Sequence, residues 1–295
     1  MDHQMIIKIF IIVIIPFLLL FTACIEEPID KSGKIITVGT EPLSSFQRIQ
    51  DAINTSSEGD TILIFKGEYQ EIISVKKSLM IKAENNNQVI ISYKGAEHQK
   101  DIITISADSC SIKGLIIKNS GNGTNIQGIK INSDNNHISN NTFLFMRQGA
   151  ILSEECRGNH IDNNTFKDNY NGIWFSNAHE NEMFNNSFYN NLGNGIQGKK
   201  SRGNLIYHNS FVNNSNGIYF CCSSVDNVIF ENSFILNNDS HVKGSNNNVW
   251  HFNGKGNYWD DYGGIDMNED FIGDSPYEIE GGIELDQYPL MNPIN

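Results

Sequence analysis

The architecture is set by Asn136-His137-Ile138-Ser139-Asn140-Asn141-Thr142-Phe143, which returns almost unchanged as Asn159-His160-Ile161-Asp162-Asn163-Asn164-Thr165-Phe166. Three further copies occupy residues 181–188, 204–211 and 227–234. The phenylalanines that close the five copies stand at positions 143, 166, 188, 211 and 234, so they are 22 or 23 residues apart. A fixed period of this length is typical of a repeat architecture, in which each repeat packs on its neighbours along one axis.

Each copy alternates apolar and polar residues over a run too short for an amphipathic helix, which predicts short β-strands. If Ile138 and Phe143 point inward, His137 and Thr142 point outward. Three such strands make one coil, and successive coils stack ~4.8 Å apart. The sequence therefore predicts an all-β fold, a right-handed parallel β-helix over residues 34–252.

Stacked coils place equivalent residues above one another. The second asparagine of each copy is predicted to point inward and to hydrogen-bond its equivalent in the next coil, which forms a ladder. The members of this ladder are Asn141, Asn164, Asn186, Asn209 and Asn232. A second short motif, glycine followed by Ile or Ala, also recurs once per coil. Its copies are Gly128-Ile129, Gly149-Ala150, Gly172-Ile173, Gly195-Ile196 and Gly217-Ile218. We expect the glycines and asparagines at strand edges to supply the positive φ of the corners.

Both ends of the repeat carry sequences suited to capping a stack, which a one-dimensional array requires. Apolar residues at 46, 49 and 53 have helical spacing, and Ser44 or Ser45 can cap the N-terminus of that helix. Next come Gly59-Asp60-Thr61-Ile62 and Gly67-Glu68-Tyr69, which resemble the opening of many pectate-lyase-like β-helix proteins. The resemblance implies a helix that closes the first coil. Residues 253–295 are expected to form a C-terminal cap.

The C-terminal segment carries a more particular resemblance. It contains Gly256-Asn257-Tyr258-Trp259-Asp260-Asp261-Tyr262 and Phe271-Ile272-Gly273-Asp274-Ser275-Pro276-Tyr277, and it ends with Tyr288-Pro289-Leu290-Met291. This ending is similar to that of the NosD-like periplasmic copper-binding family of pectin-lyase-like β-helix proteins. The resemblance extends over about residues 35–295 and implies an accessory role in assembling a copper site. Cysteine and methionine form no visible soft-ligand motif, so copper is implied by the resemblance alone.

The N-terminus predicts export. Lys8 precedes an apolar run over residues 9–21, and Phe21-Thr22-Ala23-Cys24 follows. These features are typical of a secretory signal. The last four residues resemble a lipoprotein signal-peptidase site, which implies a signal peptide over residues 1–23, lipid on Cys24 and a tether over residues 24–33. The alternative is an uncleaved membrane anchor, although the run is short for a span of ~20 residues. Either way, we expect a membrane-anchored protein at the cell surface or in the periplasm.

Net charge limits the classes of partner that we expect, and cysteine content limits the possible disulfides. Lys and Arg number 21 and Asp and Glu number 34, so the net charge is −13. An acidic, lysine-poor surface argues against nucleic acid as a partner and is compatible with cations or neutral glycans. If Cys24 carries lipid, the four remaining cysteines can form two disulfides in an oxidising compartment or serve as small core residues. These four are Cys110, Cys156, Cys221 and Cys222.

Aromatic residues at outward positions are the candidate carbohydrate-binding residues. In the glycine-led strands, Trp174 and Tyr219 flank the equivalent Gln197. In the asparagine-led strands, one outward position is shared by Phe184, Tyr207 and Phe230. Exposed aromatic columns can stack on the sugar rings of a polysaccharide or cell-envelope glycan. The alternative is that a loop or the C-terminal tail packs over them.

Two groups of residues are candidate metal ligands. Oxygen ligands at alternate positions of a turn suit a structural Ca²⁺, and the residues concerned are Asp266, Asn268, Asp270 and Asp274. The turn is no EF-hand, because Phe271 and Tyr277 occupy the positions of the required Gly and Glu. The alternative is a solvated acidic turn. His137, His160 and Glu182 are equivalent in successive coils and can either share a transition metal or fill one exposed position independently.

The sequence predicts no catalytic residue. Glycosidases require two carboxylates that face the scissile bond, and the regular coils offer only scattered acids such as Asp162 and Asp168. Three functions are compatible with the residues. The first is a non-catalytic carbohydrate-binding or cell-envelope module. The alternatives are a NosD-like accessory protein in copper-site assembly and a polysaccharide lyase or hydrolase of the pectin-lyase-like superfamily.

Overall fold

Between Thr61 and Lys243, each coil passes through three parallel β-sheets in the same order, and we call them sheets A, B and C. The structure is a computed structural model that describes residues 33–95, 100–119, 126–153, 155–280 and 284–294. The predicted signal peptide, Cys24 and the tether up to residue 32 lie outside the described residues. No helix within the described ranges is long and apolar enough to cross a membrane.

Sheets A and B have nine strands each and sheet C has eight. The strands of sheet A are Ile35–Val38, Thr61–Ile64, Met80–Ala83, Ser111–Lys113, His137–Ser139, His160–Asp162, Glu182–Phe184, Leu205–Tyr207 and Val228–Phe230. The strands of sheet B are Gly67–Tyr69, Val89–Tyr93, Leu115–Asn119, Thr142–Leu144, Thr165–Lys167, Ser187–Tyr189, Ser210–Val212, Ser233–Ile235 and Tyr258–Trp259. The strands of sheet C are Ile73–Val75, Lys100–Ile105, Ile126–Ile131, Gln148–Leu152, Asn171–Ser176, Asn194–Lys199, Asn216–Cys221 and Ser240–Lys243.

The predicted parallel β-helix is confirmed, and so is the register of its repeat. His137 pairs with His160, and Phe143 pairs with Phe166, as the repeated octapeptide requires. A helix over Ile49–Thr55 precedes the second strand of sheet A, and an antiparallel hairpin of Tyr277–Glu278 and Leu285–Asp286 lies in the C-terminal cap. The last strand of sheet B, Tyr258–Trp259, falls within the segment that we assigned to the cap.

A column of phenylalanines fills the interior against sheet B. Phe143, Phe166, Phe188, Phe211 and Phe234 are each fully buried, and successive ring centroids are 4.7 to 5.0 Å apart with nearly parallel planes. Trp259 continues the column, 4.4 Å from the ring of Phe234. The predicted inward position of these residues is therefore confirmed.

The recurring glycines of sheet C leave room for this column. A β-carbon on Gly172 would lie 2.5 Å from Cδ1 of Phe188 and 2.5 Å from the carbonyl oxygen of Gly195. These glycines do not have positive φ, so our expectation for them was wrong and close packing is the reason for glycine there. The corners between sheets A and B do use positive φ, with values of 56° at Asn140 and 54° at Asn185.

Three asparagine ladders, rather than the one predicted, run along the interior corners. The amide-to-amide hydrogen bonds within them are 2.8 to 3.1 Å long. The first ladder consists of Asn136, Asn159, Asn181, Asn204, Asn227 and Asn248. The second adds Asn257 to the five predicted residues, and the third consists of Asn169, Asn191, Asn214 and Asn237. In every link but one, Nδ2 donates to Oδ1 of the asparagine in the following coil. Asn169 Nδ2 donates instead to the carbonyl oxygen of Phe143, and only its backbone N–H donates to Oδ1 of Asn191, at 3.1 Å. All three ladders therefore have the same polarity.

The polarity leaves unpaired N–H groups at the C-terminal end, and the cap supplies their acceptors. Glu284 Oε1 accepts from the backbone N–H of Asn248 at 2.5 Å. Asp286 Oδ2 accepts from the backbone N–H of Asn257 at 2.6 Å and from its Nδ2 at 3.3 Å. In the third ladder, Asn237 Nδ2 lies 3.2 Å from Nδ1 of His241. The cap therefore satisfies donors that would otherwise be buried without a partner.

The N-terminal helix is capped by a distant residue. The helix begins at Ile49, and no side chain of Ser44 or Ser45 caps it, so that prediction was wrong. The buried carboxylate of Glu71 accepts from the backbone N–H groups of Ile49 at 2.9 Å and Gln50 at 3.1 Å. A carboxylate at a helix N-terminus satisfies free donors and interacts favourably with the helix dipole.

The four cysteines among the described residues are free thiols. Cys110 and Cys156 are buried in the core, Cys221 is half-buried and Cys222 is exposed. The prediction that cysteines serve as small core residues is therefore confirmed for Cys110 and Cys156.

We expect Phe188→Ala to lower the free energy of unfolding by about 3–5 kcal/mol, because it removes a fully buried ring from the middle of the column. Chemical denaturation of both proteins measures the difference. Tyr189→Ala is the matched control, since this neighbouring ring is 39% exposed on the outside of sheet B. Equal losses in the two variants would contradict the column as the source of stability.

We expect Asn186→Ala to cost at least about 3 kcal/mol, because several buried groups lose partners worth about 1–3 kcal/mol each. Asn186 Oδ1 accepts from N and Nδ2 of Asn164, and its Nδ2 donates to the carbonyl oxygen of Ile161. Thermal unfolding compares this variant with Asn132→Ala, whose asparagine is exposed on the same solenoid. A similar small loss in both variants would show that the ladder contributes little.

The buried carboxylate of Asp286 in the cap should make the stability of the protein depend on pH. Burial raises the pKa of Asp286 from 3.8 to about 6, although hydrogen bonds from Asn257, Trp259 and Tyr288 oppose the rise. The native state then binds the proton more tightly than the unfolded state, so this group's contribution to stability falls as pH rises from about 4 to 6. The stability advantage of the natural protein over Asp286→Ala should shrink by about 3 kcal/mol over that range. Denaturation at pH 4 and pH 7 tests this, and a growing advantage would show that hydrogen bonding outweighs burial.

Candidate functional site on the outer faces of sheets A and C

The structure brings the first group of predicted carbohydrate-binding residues into one column on the outer face of sheet C. Trp174 pairs with Gln197, and Gln197 pairs with Tyr219. All three side chains are half-buried. The two aromatic residues are two coils apart, which corresponds to roughly 9.5 Å. Neither ring stacks on another aromatic ring of the described chain, so Gln197 lies between two rings whose faces are not covered by other aromatics.

A fourth amide ladder beside this column orients Gln197. Gln197 Oε1 accepts from Nδ2 of Asn171 at 3.1 Å and of Asn194 at 3.4 Å. Asn194 donates to Asn171, and Asn216 donates to Asn194 at 2.9 Å, so the polarity is opposite to that of the interior ladders. Because Oε1 is engaged, the amide nitrogen Nε2 is the group of Gln197 left for an outside partner. We missed this ladder in the sequence, although its asparagines directly precede the recurring glycines.

Two buried polar atoms on the same face have no hydrogen-bond partner among the described residues. They are the indole nitrogen Nε1 of Trp174, a donor, and the amide oxygen Oδ1 of Asn216, an acceptor. Unpaired buried polar atoms are rare in native proteins. Their residues lie on strands two coils apart, and both atoms are shielded from solvent.

The second predicted group forms a continuous stack on the outer face of sheet A. The ring centroids of Phe184 and Tyr207 are 5.1 Å apart, as are those of Tyr207 and Phe230, and the planes are within 12° of parallel. Phe252, from the segment after the last strand of sheet A, packs on Phe230 at 5.2 Å. The rings therefore cover one another's faces and turn their edges outward. A sugar stacks on a ring face, so sheet C offers the better surface for stacking.

The histidines at the outward position of sheet A each have their own carboxylate. His137 Nε2 lies 2.5 Å from Oδ1 of Asp162, whose other oxygen accepts from Nδ2 of Asn163 at 2.6 Å. His160 Nδ1 lies 3.9 Å from Oε2 of Glu182. The two imidazole rings are 6.3 Å apart and edge to face. This arrangement corresponds to two separate histidine–carboxylate pairs, in which Asp162 orients His137.

The acidic turn of the cap is held together by its own backbone. Asp266 accepts from the N–H groups of Asp270 and Phe271 at 3.2 and 2.8 Å. Asp270 Oδ1 accepts from the N–H of Ile272 at 2.9 Å, and Asp274 Oδ2 accepts from that of Met267 at 2.8 Å. These bonds are those of an ordered acidic turn. Calcium binding by Asp266, Asn268, Asp270 and Asp274 stays a prediction.

One group of potential metal ligands was not foreseen, and it consists of His241, Asp260 and Asp261. His241 Nε2 lies 2.9 Å from Oδ1 of Asp260 and 3.4 Å from Oδ1 of Asp261. The amide orientation of Asn237 is settled, because its oxygen accepts from Asn214. Its Nδ2 must then donate to Nδ1 of His241, which places the proton of a neutral imidazole on Nε2. A metal at Nε2 would have to displace the proton that bonds to Asp260.

A protein-family model described as "Periplasmic copper-binding protein (NosD)" matches residues 53–264. The chain belongs to the NosD family. The match begins within the N-terminal helix and includes the coils from Thr61 onward and part of the cap.

Other proteins resemble this NosD-family chain more distantly. It is 33% identical over 102 residues to a cell surface glycoprotein of Methanothermus fervidus, and the match covers 34% of this chain and 16% of that protein. An alginate lyase from Paenibacillus sp. str. FPU-7 has a TM-score of 0.53 at 14% identity, covering 64% of this chain and 73% of the lyase. The pectate lyase Pel9A has a TM-score of 0.47 at 17% identity, covering 76% and 74% of the two chains. The similarity to the alginate lyase is evidence for the fold and for nothing else.

The two buried cysteines of this NosD-family chain are not arranged as ligands of a soft-ligand copper site. Burial raises the pKa of the Cys110 and Cys156 thiols to about 11. Both are therefore protonated, and their Sγ atoms donate to the carbonyl oxygens of Lys77 and Ile131. Copper(I) is bound by thiolates and thioethers, and the group around His241 is engaged in hydrogen bonds.

Proposed function

We propose that this chain is an exported, surface-attached β-solenoid that binds carbohydrate on the outer face of sheet C without cleaving it. Export is supported by the signal-like segment over residues 1–23, by a family described as periplasmic and by a relative named as a cell surface glycoprotein. Lipid on Cys24 is the proposed means of attachment.

The observation that carries the binding function is the column of Trp174, Gln197 and Tyr219. Two aromatic rings with faces not covered by other rings flank an amide whose oxygen is held by Asn171 and Asn194. Aromatic rings supply apolar contact to a sugar ring, and the amide nitrogen of Gln197 donates to its hydroxyls.

The same column favours binding over hydrolysis. Its residues from the third to the eighth strand of sheet C carry no carboxylate, and they are Lys130, Ile151, Trp174, Gln197, Tyr219 and Lys243. Hydrolysis of a glycosidic bond uses two carboxylates on either side of the bond, ~5 to 9.5 Å apart. A flat strip of amides and aromatic rings is suited to holding a glycan and not to protonating its linkages.

We expect the full chain, purified in detergent, to give positive signals on a glycan array, and Trp174→Ala and Tyr219→Ala each to weaken binding about tenfold. The loss corresponds to one stacking contact of about 1–1.5 kcal/mol. Tyr189→Ala is the matched control, because this exposed ring lies on sheet B. No binding by the natural protein, or equal binding by all variants, would rule the proposal out. Release of reducing ends or unsaturated sugars from the bound glycans would instead identify an enzyme.

A further inference from the structure

Two cysteines stand side by side on the outer surface, at the corner where the chain leaves sheet C. Cys221 is the last residue of the strand Asn216–Cys221, and its half-buried side chain lies on the same outer face as that of Tyr219. Cys222 follows directly and is exposed, and both residues are free thiols. Among the four cysteines that the structure describes, the other two are buried in the core, so this pair is the one open to reaction with a solute.

The backbone of this corner breaks the alternation of the strand. In a continuing strand, Cys222 would point to the opposite face from Cys221. Its φ of 57° instead turns the chain out of the strand, as φ values of 53° and 52° do at Asn177 and Lys200, the equivalent residues of the two preceding coils. The corner is therefore a property of the repeat, and the special feature of this coil is that two consecutive thiols occupy it.

The two thiols interact with each other and with a neighbouring lysine. Burial raises the pKa of the Cys221 thiol to about 11, and a hydrogen bond with the Cys222 thiol adds to the rise. Lys199 pairs with Cys221 on the adjacent strand, and its ammonium acts in the opposite direction because a cation favours the thiolate. When Cys222 is converted to a disulfide, its thiol no longer opposes ionisation of Cys221, whereas Lys199 still favours it.

A disulfide between consecutive residues has the properties of a labile link. Consecutive Cα atoms are ~3.8 Å apart, whereas most disulfides join Cα atoms ~4.4–6.8 Å apart, so the link is strained. It closes almost no loop in the unfolded chain and therefore adds little stability. Strained or exposed disulfides are reduced more readily than structural ones. A link at this corner is thus suited to closing and reopening, and not to holding the fold together.

We propose that Cys221 and Cys222 form a thiol–disulfide exchange site, which is oxidised reversibly to a disulfide between the two residues. The oxidant is a low-molecular-weight disulfide such as glutathione disulfide. The thiolate of the exposed Cys222 attacks one sulfur of the oxidant, whose S–S bond breaks and releases the first thiol. The thiolate of Cys221, favoured by Lys199, then attacks Sγ of Cys222 and releases the second thiol. The two protein thiols are oxidised, the oxidant is reduced, and the two protons pass to the released thiolates.

This inference rests on the proposed function only for export, because disulfides persist outside the cytoplasm. The exchange involves no residue of the aromatic column, although Tyr219 lies two residues before Cys221. The reaction is measured on purified protein without glycan. Failure of the exchange therefore leaves glycan binding at Trp174 untouched, and a negative glycan array leaves the exchange site untouched.

Mass spectrometry tests the proposal on the full chain, purified in detergent, reduced and then incubated with glutathione disulfide. We expect the peptide that contains both cysteines to lose two hydrogen atoms and to keep no glutathione, and reduced glutathione to restore both thiols. Cys221→Ser should instead keep one glutathione on Cys222, because it lacks the thiol that releases it. Glutathione retained by the natural protein, a dimer linked through Cys222, or no reaction at this peptide would overturn the proposal.

Two neighbouring lysines provide matched variants for the step that closes the ring. Lys199→Met should slow release of the second glutathione about threefold, because fewer Cys221 thiolates form although each is more nucleophilic. Lys200→Met should react as the natural protein does, since this exposed lysine does not contribute to the pKa of the Cys221 thiol. Equal rates in the two variants would overturn the role of Lys199. Circular dichroism and thermal melting confirm that each variant is folded.

Discussion

The direction of the interior amide ladders is the constraint on which the rest of the fold depends. Each ladder asparagine accepts from the coil before it and donates to the coil after it, as Asn186 does between Asn164 and Asn209. Any other residue at that position leaves buried donors unpaired, so the same residue must return once per coil. The ladders consequently require one asparagine per coil, at spacings that range from 21 to 25 residues. They also impose a composition on the cap, because a ladder with one polarity ends in donors that need acceptors. Glu284, Asp286 and His241 fill that need.

Since the interior positions are set by packing and by the ladders, the outward positions are where coils differ from one another. Sheet A shows this along a single face, which changes from lysine and histidine near its N-terminal end to stacked Phe184, Tyr207 and Phe230 near its C-terminal end. On sheet C an external ladder of reversed polarity holds Gln197 between Trp174 and Tyr219. A rigid stack thus presents two chemically distinct surfaces at positions that its own folding does not constrain.

The repeated octapeptide predicted the β-helix, the inward phenylalanines and one of the ladders, and the recurring glycine-led motif predicted the register of Trp174 with Gln197. Each of these follows from periodicity. The contacts that the repeat could not predict involve residues that do not recur once per coil. Glu71 caps a helix that begins 22 residues earlier in the chain, and Glu284 and Asp286 meet the ladders only after the cap has folded back. The pairing of His137 with Asp162 joins two different outward positions on neighbouring strands. Ring orientation is also invisible in sequence, so the face-to-face packing of Tyr207 emerged only in three dimensions.

The ladders also affect how the polar clusters of this chain should be interpreted. Grouped histidine and carboxylate side chains suggest a metal centre, and the group of His241, Asp260 and Asp261 meets that description. Yet Asn237 donates to Nδ1 of His241, so the imidazole proton is placed on the nitrogen that a metal would need. The cluster ends a ladder in the same way as Asp286, a carboxylate engaged by Asn257 and Trp259. Polar side chains at the end of such a stack are first of all acceptors for its last coil. A functional interpretation is therefore stronger on the outer faces, where Trp174 is not a partner of any interior ladder.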